Sequence, residues 1–207
     1  MLSIPSNSRV FVAGKTGSGK TVFVKKALFP MFQRKVFWDI KIENSDLIKT
    51  CDCILCTTPI KLVQLLNANY RSILYQPDDT SERDFDEVCK VIFYFGNMTL
   101  FIDEVSSGEI CTPSIIQKWH KEIMIRGRSR GVGIVNVTQR PRSIHNTLIS
   151  ESEYFIIFRL QLDTDVGKLR TIMPGDYCDM IHTLPYYHSI YTDNSGEIKM
   201  LKPIPLS

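Results

Sequence analysis

A glycine-rich loop near the start of the sequence carries the residue types that bind phosphate. Residues 14–21 read GKTGSGKT, follow an apolar run and precede a helical pattern. They fit the P-loop spacing G-x-x-x-x-G-K-[ST], in which glycines let backbone N–H groups curl around a phosphate and the next helix presents its N-terminus to the same anion. We therefore predict a loop that holds the triphosphate of a nucleotide. Its residues are Gly14, Lys15, Thr16, Gly17, Ser18, Gly19, Lys20 and Thr21.

A pair of acidic residues follows a second apolar run. In MTLFIDEVS, the apolar run places Asp103 and Glu104 at the carboxyl end of a predicted strand. Lys20 is predicted to reach the β- and γ-phosphate oxygens. The Thr21 hydroxyl is predicted to bind Mg²⁺, and Asp103 is predicted to hold the same ion through the water shell of the ion. Glu104 comes one residue later, where it is placed to polarise an attacking water. Such a pair favours hydrolysis over phosphoryl transfer to a small acceptor.

A glutamine ends a third apolar run. Gln139 follows the strand predicted at 132–138, which we expect beside the Asp103 strand, and its amide is placed to contact the γ-phosphate. The three elements occur in the order expected of a nucleotide hydrolase. The Asn-Lys-x-Asp guanine-reading motif of GTPases and the signature motif of transporter ATPases are absent from the sequence, so neither of these classes is favoured.

These motifs need a scaffold that brings several strand ends together. Apolar runs rich in β-branched residues alternate with helical patterns, which predicts a mainly parallel sheet with helices on both faces. The predicted strands cover 9–14, 35–40, 51–58, 72–76, 98–103, 132–138 and 154–160, with a hairpin at 186–201. The predicted helices cover 20–29, a segment opened by Pro59, 80–95 with Thr80 as N-cap, and 113–126. We expect one doubly wound α/β domain over residues 1–207, with a RecA-like P-loop NTPase fold.

Composition sets bounds on the other possibilities. With 207 residues, 43% of them hydrophobic and 23% charged, the chain is long enough for one buried core, and extended disorder is not expected. No apolar run is long enough to span a bilayer, and the first ten residues lack the features of a signal peptide. Three of the six cysteines stand in CDCILC, but a fourth ligand at matching spacing is missing, so we predict buried small hydrophobic residues rather than a zinc site.

The order of the motifs indicates a family. FVAGKTGSGKT, FWDIKIEN, LFIDEVS, RGRSRGVGIVNVTQRP and FRLQLDTDVGKLRTIM follow one another as in the FtsK/HerA superfamily of DNA-pumping ATPases, which the chain resembles over about residues 9–180. The most specific segments are Gly-Arg-x-x-Gly and Thr-Gln-Arg-Pro, and Asp39-Ile40-Lys41 resembles the Asp-Pro-Lys-like end of the family's second strand. In its size, the chain resembles the genome-packaging ATPases of icosahedral viruses with an internal membrane, including the turreted archaeal viruses.

The segment 118–142 is strongly basic. It holds seven Lys or Arg residues against one acid, Glu122, in a chain with a net charge of +3. A solvated face, a polyanion site and nucleotide-sensing arginines all fit such a run. The resemblance to ring ATPases implies that some arginines reach the nucleotide of a neighbouring subunit and others face DNA. The candidates for a catalytic finger acting in trans are, in order, Arg128, Arg126 and Arg170. Two further arginines flank the Gln139 strand: Arg130 precedes it and Arg159 follows it.

The resemblance implies a motor that hydrolyses ATP and moves double-stranded DNA, independently of its sequence, into a viral capsid. The expected partners are other copies of the chain in a pentameric or hexameric ring, and capsid or portal-vertex proteins, in the host cytoplasm or at the packaging vertex of the virion. Two alternatives remain. One is a P-loop kinase or nucleotide-binding regulator without motor action, and the other is a conjugation or secretion motor of the same superfamily.

Overall fold

A nine-stranded sheet organises the molecule, which we describe from a computed structural model over residues 2–108 and 110–205. The strands are β1 Arg9–Ala13, β2 Lys35–Trp38, β3 Ile54–Cys56, β4 Ser72–Tyr75, β5 Met98–Ile102, β6 Val132–Thr138, β7 Tyr154–Phe158, β8 Ser189–Asp193 and β9 Ile198–Leu201. Their order across the sheet is β3-β4-β2-β5-β6-β1-β7-β8-β9. Neighbours from β3 to β7 run parallel, while β8 and β9 add an antiparallel hairpin at one side.

Helices connect the parallel strands. They are α1 Lys20–Phe23, α2 Leu47–Thr50, α3 Pro59–Asn67, α4 Glu82–Phe95, α5 Lys118–Arg126, α6 Thr147–Ser150, α7 Asp163–Leu169 and α8 Gly175–Met180. The helix that starts with α1 continues as a π turn at Val24–Leu28 and a 3₁₀ turn at Phe29–Met31. Within residues 2–108 and 110–205, no helix has the length and apolar character needed to cross a bilayer.

The core lies on both faces of the sheet. Side chains alternate along a strand, so Val10 and Val12 of β1 join one hydrophobic cluster, whereas Phe11 and Ala13 join the other. The α1 region covers the first cluster, and α3, α4 and α5 cover the second. Because both faces are covered, the central strands are mostly apolar, and the polar exceptions Thr99, Asn136 and Thr138 are buried with hydrogen bonds. The prediction of a doubly wound, mainly parallel α/β fold with a C-terminal hairpin is confirmed.

The parallel strands give the sheet two distinct edges. The carboxyl ends of β1, β5 and β6 meet at one edge, which we call the carboxyl edge, and their amino ends meet at the opposite amino edge. Strand β6 lies between β5 and β1. In open α/β sheets, ligands bind outside the carboxyl ends of the strands, so the carboxyl edge is the place to look for a site.

Most of the predicted strands end one or two residues early, and two predicted elements are shortened for a visible structural reason. The strand predicted at 51–58 covers Ile54–Cys56, because Asp52 has a φ of 50°, which interrupts extended backbone. The helix predicted at 113–126 begins at Lys118, because residues 111–116 close a turn through a bridge between Cys111 and Ile116. The backbone N–H of Trp119 at the start of α5 then donates to Asp86 Oδ1 of α4 at 2.7 Å.

The N-cap predicted for the helix at 80–95 is wrong by one residue. Ser81 caps α4, and its Oγ accepts a hydrogen bond from the backbone N–H of Asp84 at 3.3 Å. The Ser81 hydroxyl also donates to Asp79 Oδ2 at 2.9 Å. This local turn before the helix holds Ser81, and not Thr80, at the N-cap position. Both residue types are common N-caps, and serine is somewhat preferred to threonine.

The CDCILC segment does not form the single strand on which its cysteines were placed. Cys51 and Cys53 precede β3, and Cys56 ends it. Burial raises the pKa of the Cys53 thiol to about 12 and that of Cys56 to about 11, so both are protonated near neutral pH. Among the residues that the structure describes, no three His, Cys, Asp or Glu side chains are grouped to hold a metal ion.

Candidate active site

The glycine-rich loop lies at the carboxyl edge, between the end of β1 and the start of α1. Its first residues are anchored to the neighbouring strands, because Gly14 N–H donates to Thr138 O at 3.2 Å and Lys15 N–H donates to Arg159 O at 2.8 Å. The loop therefore lies against the ends of β6 and β7. Its remaining backbone leads into the N-terminus of α1, the geometry that binds phosphate in P-loops.

Two glycines in the loop have no room for a side chain. A Cβ atom on Gly14 would lie 2.5 Å from Phe158 Cβ. Gly19 has a φ of 105°, and its Cβ would lie 2.8 Å from the Tyr187 ring. Close approach of β7 and of the segment before β8 thus explains both positions, and any larger residue there would displace the loop.

Lys20 is buried and points back into the loop. Its Nζ donates to Lys15 O at 3.0 Å. Burial lowers the pKa of Lys20 to about 8, and the nearby carboxylates of Glu104 and Asp103 offset part of this shift. A lysine held in this way gains charge stabilisation when an anion binds beside it.

The Glu104 carboxylate is buried just after β5, and both of its oxygens contact neighbouring groups. Oε1 accepts hydrogen bonds from Ser106 Oγ at 2.5 Å, from Thr138 Oγ1 at 3.3 Å and from Gln139 N at 3.2 Å. Oε2 lies 3.7 Å from Lys41 Nζ. Glu104 also has a φ of 65°, a conformation that is uncommon for a residue other than glycine and that clusters at functional sites.

Asp103 belongs to a second, buried polar network. Asn44 Nδ2 donates to Asp103 Oδ2 at 3.0 Å and to Asp39 Oδ1 at 2.8 Å. Gln76 Nε2 donates to the other oxygen of Asp39 at 2.9 Å. Burial is the largest cause of a raised pKa at Asp103, and the hydrogen bond from Asn44 opposes it. The network fixes the direction of the Asp103 side chain at the carboxyl edge.

Gln139 bridges the two halves of the site. It follows β6, which lies between the strand of Glu104 and the strand that precedes the glycine-rich loop. The Thr16 hydroxyl of the loop donates to Gln139 Oε1 at 2.5 Å, and Gln139 N–H donates to Glu104. The residue after β6 therefore connects the phosphate loop to the Glu104 carboxylate. Strand β6 lies beside β5, as expected from the sequence.

Comparison with known proteins places this geometry in context. No family model matches the chain. The DNA packaging ATPase P9 of Enterobacteria phage PRD1 is 25% identical over 212 residues, which covers 95% of this chain and 87% of the relative. The genome packaging NTPase B204 from Sulfolobus turreted icosahedral virus 2, solved in complex with AMPPCP, has a TM-score of 0.81 at 19% identity and covers 96% of this chain and 99% of its own. VirB4 of Thermoanaerobacter pseudethanolicus has a TM-score of 0.64 at 8% identity, with 95% and 89% coverage.

The chain resembles viral genome-packaging ATPases. The resemblance predicted from the motif order is confirmed by the relative in sequence and by the solved structures in fold. The matches to packaging ATPases extend over nearly the whole chain, so they include the glycine-rich loop, the Asp-Glu pair and the Gln139 strand together.

The first two finger candidates expected from the resemblance to packaging ATPases lie far from these residues. Arg126 ends α5 and Arg128 lies between α5 and β6, so both lie at the amino edge. Gln139 follows the other end of the seven-residue strand, roughly 20 Å away. Both are exposed, and their guanidinium groups pair with Glu122 at 3.1 Å and Glu153 at 3.0 Å. Within one chain they do not reach the site.

The other arginines have different surroundings. Arg170 is exposed and pairs with Asp179 of α8 at 2.6 Å. Arg130 donates to Tyr94 O at 2.8 Å and thereby holds the C-terminal end of α4. Arg159 follows β7 at the carboxyl edge, and its guanidinium carbon lies 5.6 Å from the centre of the Tyr186 ring. The centre of the same ring lies 5.3 Å from Lys15 Nζ.

Sequence reasoning assigned no role to several residues of the site. Asn44 orients Asp103, Ser106 binds Glu104, and the segment after α8 brings Tyr187 N–H to Ser18 O at 3.2 Å. Lys41 stands in the Asp39-Ile40-Lys41 segment that contributed to the family resemblance, but its contact with Glu104 depends on β2 and β5 being neighbours. A polar run at the end of the strand next to β5 is the signal that could have found Lys41 and Asn44.

Proposed function

We propose that this chain is an ATP-hydrolysing motor that moves double-stranded DNA into a viral capsid. The observation that carries the proposal is the meeting of Lys20, Glu104 and Gln139 at the carboxyl edge of a chain that resembles viral packaging ATPases along nearly all of its length. Each of these residues follows a different strand, so the arrangement depends on the fold and not on one motif. The proposal treats residues 1–207 as a single ATPase domain.

ATP binding is assigned to the glycine-rich loop. Residues 14–21 supply backbone N–H groups to the phosphates, and the buried Lys20 ammonium supplies charge to the β- and γ-phosphate oxygens. A bound triphosphate would stabilise the charged form of Lys20, whose pKa burial has lowered to about 8. This part of the site binds and orients the substrate.

Thr21 and Asp103 are the proposed Mg²⁺ ligands. A hydroxyl and a carboxylate are hard oxygen donors of the kind that Mg²⁺ prefers, and Asn44 holds the Asp103 carboxylate at the carboxyl edge. Bound Mg²⁺ would neutralise charge on the β- and γ-phosphates. A nearby cation would also stabilise the ionised form of Asp103 against the burial that raises its pKa.

Glu104 is the proposed general base. Its carboxylate is buried, and the hydroxyls of Ser106 and Thr138 and the N–H of Gln139 hold it toward the end of β6. These three hydrogen bonds go to Oε1, so Oε2, whose contact is the ion pair with Lys41 at 3.7 Å, is the oxygen that would take a proton from water. Gln139 is the proposed γ-phosphate contact, because it is bonded to both the loop and Glu104.

DNA and further copies of the chain are the proposed partners. The basic segment 118–142 supplies Arg126 and Arg128 at the amino edge, where they do not reach the site of their own chain. A finger from a neighbouring subunit, which would be Arg128, Arg126 or Arg170, would supply the missing cation. A homo-oligomeric ring, pentameric or hexameric, would meet this requirement. Attachment to capsid or portal-vertex proteins, in the host cytoplasm or at the packaging vertex of the virion, completes the proposal.

ATP hydrolysis measured with and without double-stranded DNA tests the function. We expect DNA to stimulate phosphate release by the wild-type chain, and Lys20→Ala to abolish ATP binding or hydrolysis because the phosphates lose their buried cation. Lys61→Ala, on an exposed position of α3, is the matched control and should retain activity. A monomer that transfers phosphate to a small acceptor, with no response to DNA, would identify a kinase instead.

The salt dependence of DNA binding tests the proposed partner. Contacts between basic side chains and phosphates release counterions, so the affinity should fall steeply with added salt and vary little with DNA sequence. Fluorescence anisotropy with several duplexes of equal length, each titrated at several salt concentrations, measures both properties. A tight, salt-insensitive preference for one sequence would contradict a packaging role.

A further inference from the structure

A lysine on the segment after β2 faces the Glu104 carboxylate. Lys41 Nζ lies 3.7 Å from Glu104 Oε2, and the Lys41 side chain is 34% exposed, whereas that of Glu104 is 9% exposed. The lysine can therefore exchange its partner more easily than the buried carboxylate can. The finger candidates Arg126 and Arg128 lie at the opposite edge of the sheet. Lys41 thus provides, within the chain, a cation beside the proposed base.

The backbone next to Lys41 is held in place. The Asp39 carboxylate accepts hydrogen bonds from the N–H groups of Glu43 at 3.2 Å and Asn44 at 2.9 Å, and Ile42 adopts a φ of 58° in the turn between them. The Asn44 side chain then links this turn to Asp103. The position of the Lys41 backbone beside the end of β5 is therefore fixed, while its partly exposed side chain has room to move.

Lys41 also acts on the other charged groups of the site. Its charge adds to the effect of burial in lowering the pKa of Lys20, and it opposes the effect of burial at Asp103. Two lysines, one from the phosphate loop and one from the turn after β2, therefore lie close enough to repel each other beside Glu104. An anion bound between them would remove that repulsion.

We propose that Lys41 is a γ-phosphate ligand that exchanges partners with Glu104. The inference rests on the proposed binding of ATP. A γ-phosphate carries more negative charge than one carboxylate, and it competes with Glu104 Oε2 for the Lys41 ammonium. The released oxygen accepts a proton from water, the water oxygen bonds to the γ-phosphorus, and the bond from that phosphorus to the ADP oxygen breaks. Lys41 thereby makes the base available when the γ-phosphate is present and withdraws it when ADP remains.

Equilibrium binding of AMPPCP and ADP to Lys41→Met tests the assignment, because methionine keeps the length of the side chain without its charge. We expect the AMPPCP affinity to fall by about 10- to 100-fold, the range for a lost charge-assisted hydrogen bond, while the ADP affinity is retained. Lys41→Arg should keep the preference for AMPPCP. Lys61→Met on α3 is the matched control, and it should change neither affinity. Equal weakening of AMPPCP and ADP in Lys41→Met would overturn the proposal.

A double-mutant cycle separates a phosphate ligand from a structural lysine. Glu104→Gln removes the partner that competes for Lys41, so it should strengthen AMPPCP binding relative to ADP, and this gain should vanish in the Lys41→Met/Glu104→Gln double variant. The same gain in both backgrounds would contradict partner exchange. None of these measurements requires hydrolysis or DNA. Failure of the motor proposal would instead appear as a wild-type chain that binds AMPPCP but neither hydrolyses ATP nor responds to DNA.

Discussion

The two edges of the parallel sheet hold their charged residues in opposite ways. At the carboxyl edge, Lys20 and Glu104 are buried, and Glu104 accepts hydrogen bonds from three groups. At the amino edge, Arg126 and Arg128 are exposed and make single ion pairs with neighbouring glutamates. We call the buried, hydrogen-bonded groups at the carboxyl edge the closed network, and the exposed arginines at the amino edge the open basic surface.

This difference indicates how the two edges can act. A buried network positions its members and resists rearrangement, because a broken partner leaves an unsatisfied polar group. An exposed ion pair contributes roughly 0–1 kcal/mol, so Arg126 can leave Glu122 for a phosphate at little cost. Arg128 is exposed but its partner Glu153 is largely buried, and Glu153 keeps an ion pair with Arg9 when Arg128 leaves. The carboxyl edge is therefore suited to chemistry within the chain, and the amino edge to contacts with DNA or another subunit.

Complementation between inactive variants gives the largest expected effect. If an amino-edge arginine serves the site of a neighbouring subunit, Arg128→Ala should lower hydrolysis on the order of 10³–10⁵-fold, the range for a finger supplied in trans. Mixing Arg128→Ala with Lys20→Ala should then restore partial activity, because some interfaces combine an intact loop with an intact arginine. Phosphate release by the mixtures measures the recovery.

The same mixing experiment applied to the other arginines separates the two edges. Arg126→Ala and Arg170→Ala should be mixed with Lys20→Ala in turn, with Arg83→Ala on α4 as an exposed control that remains active alone. Arg159 lies at the carboxyl edge, so a role within its own site predicts no recovery for Arg159→Ala. Absence of recovery for every arginine variant, in samples that still assemble, would end the shared-site model, as would full activity in a demonstrated monomer.

Glu104→Gln tests the chemistry of the carboxyl edge alone. The variant should bind ATP but hydrolyse it more slowly by about 10²–10⁴-fold, because an amide cannot accept the proton from water. Under the shared-site model it should recover partial activity when mixed with Arg128→Ala, as Lys20→Ala does, but it should not recover when mixed with Lys20→Ala, because both changes are on the same side of the site. Single-turnover hydrolysis measures the effect, and a near-normal rate would remove Glu104 from the mechanism.

Stability measurements compare the closed network with the open basic surface directly. Asn44→Ala removes the amide that donates to both Asp39 and Asp103, and we expect it to lower the free energy of unfolding by about 1–3 kcal/mol. Arg126→Ala breaks the exposed pair with Glu122 and should lower it by about 0–1 kcal/mol. Denaturant unfolding of both variants gives the comparison. Equal losses would mean that burial does not distinguish the two edges.

The pH dependence of nucleotide binding gives the smallest expected effect. Burial lowers the pKa of Lys20 to about 8, so this residue loses its proton in the free protein as the pH rises above that value, while a bound phosphate keeps it charged. ADP affinity should therefore be level below pH 8 and fall above it, by at most about tenfold per pH unit for one linked proton. Calorimetry between pH 7 and 9 tests this. A Lys20→Arg variant, which stays protonated, should not show the decline.

Much of the fold could be predicted because its signals are local. Apolar runs that are buried on both faces, such as 132–138, indicate central parallel strands regardless of what lies next to them. The errors occurred where local signals compete. Thr80 and Ser81 are adjacent residues that can both cap a helix, and the turn at Asp79 favours Ser81. At residues 51–58, the positive φ of Asp52 shortens a segment whose composition fits a strand.

The sequence by itself determined the glycine-rich loop, the Asp-Glu pair and the parallel sheet, because these features depend on residue type and short-range spacing. The tertiary structure decided which groups act on one another, since that depends on the order of strands. Because β2 lies beside β5, Asn44 reaches Asp103 across 59 residues and Lys41 reaches Glu104. Because β6 lies between β5 and β1, Thr16 reaches Gln139 across 123 residues. The same parallel arrangement places Arg126 and Arg128 at the opposite edge. The pattern of charges along the sequence does not show this position, and it does not show which group each arginine contacts.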